Sequence, residues 1–253
     1  MPIDYSRRLT GRIRTPSADR HLGYTLAFVA GSVNAGGFLA VRQYTSHMTG
    51  IVSSMADNVA VGTFDLALGG AGALLSFLAG AACTAILVNH ARRRKLHSEF
   101  AMPLLLEAAL LLCFGLLGTR LALVDGLIVP AAVMLLCFIM GLQNALITKL
   151  SRAEIRTTHI TGVVTDIGIE VGKLVYWNAA GAGNAPIVVA DRGRLQVLAV
   201  LVGCFFLGGV VGAIGFQHAG YLATVPLALV LVTLASVPAV DDLAGLARRW
   251  LQR

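Results

Sequence analysis

At 253 residues the chain has the length of one or two soluble domains, and its composition excludes them. Hydrophobic residues make up 57% and charged residues 13%, with mean hydropathy +0.77, where a soluble chain carries about 25% charge. Disorder, collagen, coiled coil and a disulfide scaffold fall on the same figures, which leaves an all-α, polytopic membrane helix bundle. The net charge of +7 would point to nucleic acid in a soluble protein. Here it reads as Lys and Arg held at the cytoplasmic face beside anionic lipid, so no nucleic-acid partner is expected.

In chain order, residues 1–21 form a basic tail with no short apolar region and cleavage site, expected to be retained in the cytoplasm. A span needs about 20 mostly apolar residues. Six stretches qualify: 22–41, 66–89, 102–124, 128–148, 195–217 and 220–240. Two segments are more polar: 46–62, with Asp57 and Asn58, and 159–176, with Asp166, Glu170 and Lys173. A second tail, 241–253, follows. Cys83, Cys113, Cys137 and Cys204 lie within apolar runs without C-x-x-C spacing and read as small hydrophobes.

Positive charge marks the cytoplasmic side of short loops. If neither polar segment crosses and the N-terminus is inside, 18 of the 20 Lys and Arg are cytoplasmic, leaving Arg42 and Arg120 outside. If both cross, the split falls to 12 against 8. The count favours six transmembrane helices, both termini cytoplasmic, and two short re-entrant or half-helix segments that do not change sides.

The chain also repeats itself. Gly31-Ser-Val-Asn34-Ala35 is matched by Gly141-Leu-Gln143-Asn144-Ala145, and Ser46-His47-Met48-Thr49-Gly50 by Thr158-His159-Ile160-Thr161-Gly162. Phe77-Leu78-Ala79-Gly80 is echoed by Phe206-Leu207-Gly208-Gly209, and Pro103 by Pro226. Four matches in one order predict repeats over 22–124 and 128–240 of a single transmembrane domain, 22–240. Three spans in each half force the second into inverted orientation, a 3+3 plan of transporters and channels.

These motifs resemble the YoaK family of bacterial integral membrane proteins, a DUF1275-like domain of unknown function, over about residues 22–240. The Gly31–Ala35, Ser46–Gly50 and Gly141–Ala145 boxes carry the resemblance, and Arg156-Thr157-Thr158-His159-Ile160-Thr161-Gly162 is its most specific piece. This chain departs from the family at Asn34, where the family places Asp, and at Ile51, where it places Asn. The resemblance implies a multi-pass protein of the bacterial plasma (inner) membrane and no established reaction.

Physically, Ser46 and Thr158 are the expected N-caps of two short helices. Such helix starts offer unpaired N–H groups to an anion or carbonyl oxygen, and the two are expected to meet near the midplane. Gly50-Ser54-Asn58 and Gly162-Asp166-Glu170 each fall on one helical face, which should turn towards the bundle or a cavity. The expected substrate-binding set is Asn34, Ser46, His47, Thr49, Gly50, Gln143, Asn144, Thr158, His159, Thr161, Gly162, Asp166 and Glu170. Against it stands a structural reading in which Asn34, Asn144, Thr49 and Thr161 are interhelical hydrogen-bond partners, each worth about 0.6 kcal/mol. His47 and His159 fit a proton relay, a gate, a metal ligand or a structural cap. Two His without a matched carboxylate make a poor metal site, so no metal and no cofactor are expected. Glu107 is the lone acid of its span, and its repeat partner is Val230. The Gly-rich stretches around Gly69–Gly72 and Gly208–Gly212 read as close helix packing.

The first function expected is a secondary transporter or channel for a small polar or anionic solute. A membrane interaction or assembly protein is the alternative, and an intramembrane enzyme follows behind it. No Walker motif, G-x-S-x-G or H-E-x-x-H is present, and the chain is not expected to be an enzyme. The expected partners are the lipid bilayer and a small solute, with a homo-oligomer left open.

Overall fold

The computed structural model describes residues 15–96, 98–121, 128–150, 158–178 and 187–251, the side chains of 117, 119–121, 128, 129 and 243–251 excepted. Residues 1–14, Arg152, Arg156, Thr157 and Arg253, and the side chains of Arg120, Arg248 and Arg249, on which expectations of topology and family rest, lie outside the described residues.

Helices α1 (Pro16–Val41), α2 (Met48–Ala60), α3 (Phe64–Arg94), α4 (Ala101–Leu121) and α5 (Ile128–Leu150) follow one another. Then come α6 (Ile160–Val175), α7 (Arg192–Ala219), a 3-10 turn (Gly220–Ala223) and α8 (Thr224–Leu251). No strand occurs among the described residues. Over their described residues the six apolar stretches are helical, the last entering α8 through the 3-10 turn, and the two polar segments hold the short helices α2 and α6. Helix α1 starts six residues before the expected span, and α8 runs through most of the expected C-terminal tail.

Four runs are long and apolar enough to cross a membrane: Pro16–Val41, Phe64–Arg94, Pro130–Leu150 and Arg192–Asp242. The last takes in α7 and α8 with the turn between them, and Ala101–Leu116 in α4 is a shorter apolar helix. The outward faces are apolar too: Leu68, Ile86, Leu116 and Phe206 are 67–72% exposed, as suits a surface bathed in lipid rather than water.

Local chemistry sets the helix ends. Thr15 caps α1, its hydroxyl accepting from the Ala18 N–H at 3.3 Å, with Pro16 in the first turn and Arg42 closing the helix at φ 58°. Asp191 caps α7 by accepting from the Arg194 N–H at 2.9 Å. Arg92, Arg93 and Arg94 crowd the last turn of α3, where the helix dipole favours cations. Gly220, at φ 55°, lets the chain leave α7 with its N–H bonded to the Phe216 carbonyl.

The bundle is built from crossed pairs. Helix α1 lies beside α7 and α3 beside α5, both in parallel. In the first pair Gly31 meets the Phe205 carbonyl and Gly208 the Phe28 carbonyl; in the second Gly141 meets that of Phe77 and Gly80 that of Phe138. A Cβ at any of the four would overlap backbone, so only glycine permits the approach. Side chains add to each pair: Ser32 Oγ donates to the Gly208 carbonyl at 2.9 Å and Thr84 Oγ1 to the Leu142 carbonyl at 2.8 Å. These contacts correct the sequence echo by one position. The residues in equivalent surroundings are Phe77 with Phe205, not Phe206, and Gly80 with Gly208, not Gly209. Of the glycines expected to pack, Gly208 and Gly212 meet the α1 backbone, whereas Gly69 faces open space.

Helices α1 and α5 run antiparallel, with Gln143 Nε2 donating to the Leu26 carbonyl at 3.3 Å and Gly37 against Leu136. Helices α4 and α8 also run antiparallel: the Ser98 N–H meets Asp242 Oδ2 at 2.8 Å at one end, and Gly115 meets Thr224 at the other. One apolar cluster, from Leu22 and Leu26 through Leu104, Leu136, Met140 and Ile147 to Leu231, fills the space among them. The short helices sit at the rim, α2 on α3 and α6 on α7.

Candidate functional site

Each box begins with an Asn on a long helix. Asn34 Oδ1 accepts from Ser46 twice, from the hydroxyl at 2.9 Å and the backbone N–H at 3.3 Å. Asn144 Oδ1 accepts from the Thr158 hydroxyl, while its Nδ2 donates to the Met140 carbonyl at 2.9 Å. Ser46 and Thr158 are not the caps expected of them: each helix starts one residue later, and each hydroxyl donates to the asparagine of α1 or α5. The N-cap residues are His47 and His159, and neither makes a side-chain capping bond.

Both imidazoles fold back over the first turn. A Cβ at Gly50 would strike the His47 ring, and one at Gly162 the His159 ring. Glycine three residues after the cap is therefore what lets each ring lie on its helix start. His47 and His159 are both exposed, as are Thr49 and Thr161. The two boxes share one design: an Asn anchor, a hydroxyl tether, a His at the helix start and a Gly beneath it.

They do not share one place. Gln143 is level with Leu26 in the antiparallel α1–α5 pair, so Asn144 is level with Thr25. Nine residues separate Thr25 from Asn34, about 14 Å at 1.5 Å per residue. The boxes thus stand at different depths instead of meeting at the midplane. Gln143 is fully buried and bridges α1 to α5.

The surroundings of the boxes differ. Beside the first lies a cavity of about 710 Å³ between the end of α1, α2 and the first turns of α3 and α5. His47, Gly50, Ser54 and Asn58 line it, so the polar stripe of α2 faces this space. Phe38 and Tyr44, stacked with ring centroids 4.5 Å apart, form one wall, and Pro130 and Met134 of α5 another. Arg42 and Asp65 also reach it, one charge of each sign. Sequence reading used Arg42 only as a topology marker. Its place just past a span and five residues before His47 was the available signal.

Around the second box the polar stripe is latched. Asp166 Oδ2 pairs with Arg194 Nη2 at 2.9 Å, and Glu170 Oε1 with Lys173 Nζ at 2.8 Å. The second oxygen of Glu170 accepts from the Asp191 N–H at 2.8 Å, tying α6 to the start of α7. The hydrogen bond from Lys173, helped by that backbone N–H, holds the Glu170 carboxyl below the ordinary carboxylate range. None of this second box borders the cavity of the first. Among the described residues no three His, Cys, Asp or Glu side chains gather as a metal would require.

The long apolar helices, the lipid-suited exterior and the glycine-to-carbonyl packing define an all-helical, membrane-embedded protein. Residues 22–237 match the family described as protein of unknown function, DUF1275, and the chain belongs to it. No curated protein and no solved structure matches the chain.

Proposed function

We propose that the chain is a secondary transporter or channel for a small polar or anionic solute in the bacterial inner membrane. It crosses six times, as an inverted 3+3 repeat with both termini cytoplasmic, and is not an enzyme. Support for the topology comes from helix direction. Helices α1 and α7 run one way and α3 and α5 the other, while α4 opposes α8. Three helices then point each way, and the second half reverses the order of the first.

One observation carries the transport reading: two boxes of the same design are in different states. The first borders the cavity, and the short helix of the second is tied to the start of α7 by the Asp166–Arg194 pair and by Glu170 accepting from the Asp191 N–H. Two equivalent gates, one open and one shut, are what alternating access requires. On this reading the solute is met at the His47 helix start beside the cavity, and the His159 helix start is the matching gate at the other depth; first-turn N–H groups there suit an anionic or carbonyl oxygen. A second reading, that the boxes only anchor the short helices in an assembly protein, is favoured by the Asn34 and Asn144 bonds.

Proteoliposomes loaded against labelled small carboxylates and inorganic anions separate the two. Flux of one solute class is expected, falling about tenfold, the equivalent of ~1.4 kcal/mol, in folded His47→Ala and His159→Ala variants. Flux at the native level in both variants sinks the site. No flux of any solute through folded protein favours the anchoring role.

A further inference from the structure

Glu107 sits on α4, fully buried, and among the described residues neither carboxyl oxygen has a hydrogen-bond partner. Its neighbours along the helix face, Leu104, Ala108 and Leu111, belong to the central apolar cluster. The elements packed on α4 bring no charge to it. Thr224–Val240 of α8, Pro130–Thr148 of α5 and Leu66–Asn89 of α3 contain no Asp, Glu, Lys, Arg or His. The titratable groups they and the 3-10 turn do contribute are the thiols of Cys83 and Cys137 and the Tyr221 hydroxyl. An ionised carboxylate in that setting is a buried charge with no counterion among the described residues, which the apolar surroundings strongly disfavour. A proton cancels the charge and asks nothing more of the surroundings.

Two further observations agree. Gln143 is buried with Nε2 bonded to the Leu26 carbonyl, while its Oε1 has no donor among the described residues. Its flanking residues Met140, Leu146 and Ile147 lie in the same apolar cluster as those of Glu107, and no donor among the described residues reaches either side chain's oxygens, as a carboxylate would need. Depth is the second. Glu107 is nine residues from Ser98 and eight from Gly115, the two ends of the α4–α8 pairing, about 13 Å from each. At the matching place in the other half, set by Pro103 and Pro226, stands Val230, so packing alone is served by an apolar residue there.

We propose that Glu107 is a proton-binding site at the centre of the bundle, loaded and emptied as the protein cycles, so that H+ is the coupling ion. This rests on the transporter reading. On release the carboxyl O–H bond breaks, the electron pair stays on the carboxylate and the proton passes to water. Water reaches the group only when α4 and α8 part on one side, which ties proton exchange to the conformational change.

The test is infrared spectroscopy of the full chain in lipid, which detects the carbonyl stretch of a protonated carboxylic acid without any knowledge of the solute. At neutral pH the native protein is expected to show that band. Glu107→Gln removes it, Glu107→Asp shifts it, and raising the pH abolishes it reversibly in the native protein. The aspartate variant keeps the assignment possible should the glutamine variant not fold. A spectrum that neither substitution changes means that Glu107 does not carry the proton, and the proposal falls. It falls equally if the band persists at every pH the folded protein survives, since the acid is then permanently neutral. Because no solute flux is measured, this result stands apart from success or failure of the proteoliposome assay.

Discussion

Asn34 and Asn144 are anchors of the same kind that use their amides differently. Asn34 is recorded only as an acceptor, from the Ser46 N–H and hydroxyl. An aspartate accepts both bonds equally well and sits near the start of α2, where negative charge is favoured. Asn144 accepts from Thr158 but also donates to the Met140 carbonyl, a bond that an aspartate turns into a repulsion between oxygens. Asn34→Asp is therefore expected to leave thermal stability in detergent within about 0.5 kcal/mol of the native protein. Asn144→Asp should cost about 1–3 kcal/mol. Equal losses in the two variants would break the account. The asymmetry gives a physical reason for the departure at residue 34: the position needs an acceptor, and either residue supplies one.

The glycines make a second argument at the same scale. Gly80 faces the Phe138 carbonyl and Gly141 the Phe77 carbonyl, so an added methyl must push two backbones apart. Gly80→Ala or Gly141→Ala should destabilise by about 1–3 kcal/mol, read as a lower midpoint in thermal unfolding. Gly69, with nothing near, is the control, and alanine there should be neutral or gain up to about 1 kcal/mol from helix propensity. A Gly80→Ala protein that melts with the control would mean that the α3–α5 contact is looser than these positions imply.

Among the elements, α6 is held to its neighbour by charge. Glu170 is buried against α7, with Lys173 and the Asp191 N–H on its two oxygens, and its carboxyl is held below its ordinary value of 4.5. A depressed folded value means the unfolded chain binds the proton more readily. The stabilisation is present above pH 4.5 and is lost as pH falls through the lower folded value. Glu170→Gln should remove that part of the acid sensitivity while lowering the unfolding midpoint at neutral pH. Parallel pH curves for the two proteins would show that the latch contributes nothing. At this scale the sequence was largely readable. Hydropathy and charge placed every long helix and both short ones, because each is a run long enough to average out single residues. The caps were not readable. Ser46 and Thr158 carry good capping hydroxyls, and only the folded chain shows that each helix starts one residue later while the hydroxyl donates to an asparagine. The one-residue slip between Phe205 and Phe206 has a similar cause, since two adjacent phenylalanines in an apolar helix look alike until a backbone carbonyl picks one. The differing surroundings of the two boxes were also hidden, because Arg194 and Asp191 meet α6 only through packing between helices, which local pattern does not encode.

For the whole molecule, the crossed pairing has a consequence that hydropathy alone does not. Helix α1 packs on α7 and α3 on α5, so each half supplies one helix to each parallel pair, and neither half can bury its own small-residue faces. The helix directions then fix sides. The α2–α3 link and the 3-10 turn after α7 fall at one end of the bundle, and the ends of α3 and α6 at the other. Single cysteines in a background lacking the four native ones, at Val61 and Leu222 for one end and at Arg94 and Trp177 for the other, sit at exposed positions. A membrane-impermeant thiol reagent added to intact cells should label the first two and spare the second two, with the pattern reversed in inside-out vesicles. Labelling of Val61 together with Arg94 would mean that α3 does not cross, and the inverted arrangement would fall with it. Labelling of Arg94 and Trp177 alone would keep the arrangement but turn it over, placing the open cavity in the cytoplasm and the ion-pair latch outside. That outcome would contradict the positive charge carried by the ends of α3 and α6.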